Sequence, residues 1–174
     1  MDLRYPVGEF QYDGPNTPAQ RQALIDQIAE APAKLRQAID GLSAEQLETP
    51  YRPDGWTVRQ VVHHIADSHM NAVSRFKWAL TEDNPKIKPY DEALWANLAD
   101  GKNAPANVSI ALIDALHTRW VLLLRSLKDV DFDRAYNHPE NGLMSLDKGL
   151  ADYAWHGRHH IAHITALKER MNWK

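Results

Sequence analysis

Residues 155–164 read WHGRHHIAHI, a run with histidine at 156, 159, 160 and 163. On an α-helix, where each residue turns about 100°, positions four apart share a face. That gives two candidate pairs, His156 with His160 and His159 with His163. Leu146, Leu150, Tyr153, Gly157, Ile161, Ile164, Lys168 and Met171 recur around them at helical spacing and define a buried stripe. His156 and His160 fall on the edge of that stripe, roughly 80° from its centre, while His159 and His163 lie further round, toward water. The pattern predicts a long amphipathic helix, started by Ser145 as N-cap, with one imidazole pair aimed at a bundle interior. Neutral imidazole suits zinc, copper, iron and nickel. The plainer reading is a helix edge of hydrogen-bonded histidines, and a metal site needs a third ligand from elsewhere.

Working outward, Thr57 reads as the N-cap of another long helix. Its apolar face is Val58, Val61, Val62, Ile65, Ala72, Val73, Phe76 and Leu80. His64, Ser68, Asn71 and Arg75 form a polar stripe along the border of this face, as expected of residues lining a cavity between helices. His63 falls on the other side and reads as surface. His69, nearly centred on the apolar face, reads as a hydrogen-bonded core residue.

Two further helices complete the set. Thr17-Pro18-Ala19-Gln20 is a capping-box start, followed by a seam of Leu24, Ile28, Ala31, Leu35, Ala38 and Leu42. Pro32 is expected to kink or split that helix, and Ser43 to Gln46 offers a second box for a short one. A third long helix runs from about Ser109 to Leu127, with Leu112, Leu116, Leu123 and Leu127 toward the core and Trp120 at the border. Residues 1–16 are rich in glycine, proline and aromatics and read as an irregular arm tied down by Tyr5, Phe10 and Tyr12. TPYRPDGWT is a linker, and residues 81–107 form a long proline-containing connection with a helical patch at Glu92 to Trp95. A connection of that length crosses over or covers a site. Asp129 to Asn141 is polar and turn-rich. The expected architecture is all-α, one four-helix bundle domain over residues 1–174, with a long crossover between the second and third long helices.

The composition narrows the function. With 174 residues, 44% hydrophobic, the chain has enough apolar matter for a core. A net charge of -3 and no basic cluster argue against nucleic acid and acidic membranes, and favour a small-molecule substrate. The chain has no cysteine, which removes disulfides, thiolate ligands and a cysteine nucleophile. MDLRYPVGEF lacks the apolar core of a signal peptide and no apolar run approaches the length of a membrane span, so a soluble, cytoplasmic protein is expected. Ser145-Leu146-Asp147-Lys148 matches S-x-x-K without its companion motifs.

His64 with His156 and His160 would supply three nitrogen ligands from two helices, a pattern that leaves a coordination position open for catalysis. Asp67, His159 and His163 are candidate general bases, and Ser68, Asn71 and Arg75 candidate substrate-lining residues. Asp152 is either an outer partner of His156 or an exposed carboxylate. GWTVRQVVHHIADSH followed by WHGRHHIAHI resembles the YfiT family of proposed metal-dependent hydrolases, within the wider DinB-like superfamily. The resemblance implies a four-helix bundle, a metal held by three histidines, often zinc or nickel, and a homodimer. Its pattern falls on His64, His156 and His160. Related proteins include thiol S-transferases, so the resemblance allows either water or a recruited low-molecular-weight thiol as nucleophile, and Arg158 and Arg75 could serve an anionic substrate or thiol.

Overall fold

Hydroxyl side chains set the helix starts in the computed structural model, which describes residues 2–173. Thr17, Ser43 and Thr57 each accept from the backbone three residues on, and Gln20, Gln46 and Gln60 return the bond. These boxes open α1 (Pro18–Ile39), α2 (Ala44–Leu47) and α3 (Val58–Thr81). The connection after α3 carries α4 (Glu92–Ala96) and α5 (Ala99–Asn103). Then come α6 (Ala106–Ser126), a 3-10 turn (Asp129–Asp133), an antiparallel hairpin of β1 (Ala135–His138) and β2 (Gly142–Ser145), and α7 (Leu146–Arg170). Ser145 caps α7 by accepting from Lys148 N.

The four long helices form a bundle in which α1 and α3 each pack against both α6 and α7. Contacts fix the directions. His63 bonds Ser109 and His69 bonds His117, so α3 and α6 run parallel. Arg21 meets Asp147 near both helix starts, so α1 and α7 do too. The connection through α4 and α5 must therefore return from the end of α3 to its start, a true crossover. Consecutive partners α1 and α3 lie diagonally, as do α6 and α7. The hairpin makes the second diagonal link by passing the end of α3, where Arg134 donates to the carbonyls of Ala79 and Glu82.

Several expectations need correction. Helix α1 runs unbroken through Pro32, which is buried. Helix α6 turns a different face inward: Ile110, Ile113, His117, Trp120, Val121 and Leu124 are buried, whereas Leu112 is 42% exposed. Its length and composition also reach those of a membrane span, although it packs here between α1 and α3. The turn-rich segment before α7 holds strands, and Asn141-Gly142 at its tip, with Gly142 at φ +69°, is the hairpin signal that was available. Ile161 is only half-buried and Met171 is exposed.

Candidate metal centre

Helices α3 and α7 run antiparallel and bring His64, His156 and His160 together. One ring nitrogen from each lies within 4.8 Å of the others. His64 Nε2 and His156 Nε2 are 3.2 Å apart, and Ser68 Oγ is 3.4 Å from His156 Nε2. Burial pushes His64 down to about 4, helped by repulsion from His159 and His163. Burial, then neighbouring rings, push His156 and His160 well below the ordinary histidine value. All three are therefore neutral near pH 7, the form that can donate a lone pair to a metal.

The three rings line a cleft of about 420 Å³ together with His159, His163, Glu92 and the linker residues Tyr51, Arg52, Asp54, Gly55 and Trp56. Trp56 sits 4.6 Å from the His64 ring. The linker reaches this wall through a tight turn in which Gly55 N donates to Arg52 O. A Cβ on Gly55 would lie 2.8 Å from Arg52 Cγ and 3.1 Å from its carbonyl oxygen, so the turn needs glycine. A larger open groove of about 830 Å³ between α1 and α7, lined by Lys34, Ala38 and Trp173, contains no histidine.

His159 and His163 are not solvent-facing: they are 7% and 3% exposed. The N-terminal arm covers them. Tyr5 packs on His159, which also stacks on Trp155, and His163 Nε2 donates to the Arg4 carbonyl while its ring stacks on Tyr51. Phe10 meets Trp155, and Tyr12 hydroxyl and Asn16 N both donate to Asp147, which is 2% exposed. His159, His160 and His163 themselves form a second convergent group. His63 is also buried, because the crossover lies over that side of α3: its Nε2 donates to Ala104 O and its Nδ1 meets Ser109 Oγ at 2.7 Å.

Asp67 is half-buried on α3 and outside the cleft lining, its carboxyl raised to about 6 by burial and by Asp100. Asn71 donates to Asp67 O, and Arg75 donates to Tyr153 hydroxyl at 2.8 Å with its Nε buried and without a partner among the described residues. Asp152 is half-buried and raised to about 6 by burial, offset by Lys148 and Arg75. Arg158 is exposed on the arm side of α7. Sequence reading missed the cleft wall from Tyr51 to Trp56, Glu92 at its mouth, and His117. The PYRPDGW composition marked a turn but not what it covers.

A histidine triad held between antiparallel helices of a crossover bundle defines the class: the chain belongs to the DinB superfamily, whose profile matches residues 27–164. Within it, the chain is 48% identical to YfiT from Bacillus subtilis, with a TM-score of 0.97 and full coverage of both chains. That protein is described as a probable metal-dependent hydrolase with an unusual four-helix bundle topology. Relatives from Bacillus mycoides strain KBAB4 and Bacillus cereus strain B4264 are each 54% identical over 172 residues, 99% of both chains, and carry provisional names as metal-dependent hydrolases.

Proposed function

We propose that this chain is a metal-dependent hydrolase of a small molecule, with one divalent ion, zinc or nickel, held by His64, His156 and His160. The carrying observation is the convergence of three neutral imidazoles from two helices at a cleft. The donor set fits: metal–nitrogen bonds of about 2.0–2.1 Å at tetrahedral angles separate ligand nitrogens by roughly 3.3–3.4 Å, against 3.2 Å between His64 and His156. Three protein ligands leave an open position, and a bound ion would lower the pKa of water to about 7 and polarise a carbonyl.

The chain's own groups do the rest. Trp56 walls off bulk water beside His64. Arg52 at the cleft donates from Nε to the Tyr51 hydroxyl and from Nη1 to Pro53 O, and its remaining N–H groups can bond a substrate carboxylate. His163 donates its Nε2 proton to Arg4 O, so its Nδ1 bears a lone pair. That Nδ1 is buried, so the exposed Glu92 carboxylate is the proton acceptor best placed on the cleft, ahead of His163 and Asp67.

Elemental analysis of untagged protein tests the binding half: about one metal per chain is expected, lost in His64→Ala, His156→Ala and His160→Ala and kept in His63→Ala and His159→Ala. Full retention in the first three variants would end the assignment. Metal-dependent hydrolysis of activated esters or amides tests the reaction. Turnover that appears only when a low-molecular-weight thiol and an electrophile are supplied would replace hydrolysis with thiol transfer.

A further inference from the structure

Behind His156 lies a row of rings that the proposed chemistry does not touch. His156 Nδ1 is 3.2 Å from His69 Nε2, His69 Nδ1 is 2.8 Å from His117 Nε2, and His117 Nδ1 is 2.7 Å from the Ile28 carbonyl oxygen. The row crosses the bundle through α7, α3, α6 and α1. His69 and His117 are 0% and 1% exposed. Trp120 packs edge-on against both rings and Tyr153 against His69.

The end of the row decides its direction. A carbonyl oxygen only accepts, so His117 Nδ1 carries a proton, and a neutral imidazole has only one. His117 Nε2 therefore accepts, and His69 Nδ1 must be the donor. By the same step His69 Nε2 accepts from His156 Nδ1, and the lone pair of His156 is left on Nε2. Among the described residues neither interior ring hydrogen-bonds a carboxylate, and Trp120 and Tyr153 pack against them, so the row offers nothing to hold a second proton on either. His64 Nε2 must then be the donor in its 3.2 Å contact with His156 Nε2 in the metal-free chain.

We propose that His117 and His69 are positioning residues which, anchored on the Ile28 carbonyl, hold His156 in the Nδ1-protonated tautomer and so present its Nε2 lone pair to the ion. This rests on the reading of His156 as a ligand. A ring so fixed needs no tautomer change before it binds.

Ring nitrogen spectra of the metal-free, 15N-labelled full chain test the order directly. Protonated Nδ1 and bare Nε2 are expected on His156, His69 and His117, and an Nε2-protonated His156 overturns the proposal. Zinc titration against a competing chelator tests the consequence. His69→Leu should weaken zinc binding roughly 10- to 100-fold, the range for loss of such outer partners. His69→Gln, whose amide can accept from His156 and donate to His117, should stay within a few-fold of wild type. Equal losses in both variants, or none in His69→Leu, overturn the role. Wild-type protein with the expected tautomers that binds no zinc overturns the metal reading alone, whereas zinc binding with reversed tautomers overturns the relay alone.

Discussion

Asp147 joins the arm to the bundle at a single carboxylate. It accepts from Tyr12 hydroxyl, from Asn16 N and Nδ2 at 2.8 Å each, and from Arg21 Nε at 2.6 Å. These bonds keep its pKa below the ordinary aspartate value although burial pushes the other way. Removing one member of a buried ion pair strands the other, at a cost of about 3–5 kcal/mol. Asp147→Ala is therefore expected to lower stability by that order in denaturant titration and to speed hydrogen exchange across residues 5–16. Unchanged exchange in the arm would mean that its aromatics alone hold it. The same residue marks a limit of sequence reading. Asp147 sat inside a spurious S-x-x-K match, and nothing local announces that its partners lie more than a hundred positions away. His64, His156 and His160 were legible because each sits at the border of an apolar stripe on its own helix. His63, His159 and His163 were misplaced because a helical wheel treats whatever lies opposite the core as water, whereas the crossover and the arm lie there.

At the scale of elements, the glycines of α7 show how closely helices approach. A Cβ on Gly157 would meet His69 Cε1 at 3.5 Å and Ala31 Cβ at 3.7 Å, ordinary contact distances. At Gly149 it would meet Phe76 Cε2 at 3.2 Å, which requires the ring to give way. Alanine gains about 1 kcal/mol over glycine inside a helix. Gly157→Ala should therefore raise the melting temperature, while Gly149→Ala should gain less or lose; the reverse ranking in calorimetry would show that packing against His69 is tighter than these contacts imply. Helix existence was readable from periodicity and capping boxes, which are local. The inward face of α6 was not, because large apolar residues lie on both sides of it: Leu112 and Leu122 are exposed while Ile110, Ile113, Trp120 and Leu124 pack inside. Ser109 and His117 are buried there because partners on α3 and α1 satisfy them.

For the whole molecule, the buried histidines set the response to acid. Burial disfavours the cation of His64 and His159 and pushes both down to about 4 in the folded chain, below the 6.5 of an unperturbed imidazole. The folded values are depressed, so the unfolded chain binds more protons between them and stability falls as pH drops from about 6.5 toward 4. Each such shift amounts to about 3 kcal/mol when the window is fully crossed. Asp67 and Asp152, raised to about 6, act the opposite way between that value and 3.8, and offset part of the loss. Thermal melts in chelator should show a falling midpoint below pH 6.5, and a stability maximum below pH 5 would contradict it.

The order of the helices along the chain also has a consequence for biosynthesis. Two of the three convergent histidines belong to α7, the fourth of the long helices in chain order, and α1 must wait for it as a parallel neighbour. A nascent chain halted before residue 156 offers the ion His64 alone, while α1 and α3 already stand with one flank uncovered. Assembly of the centre thus waits for α7, and chains terminated before it would be recognisable to quality control by exposed apolar flanks, with or without metal.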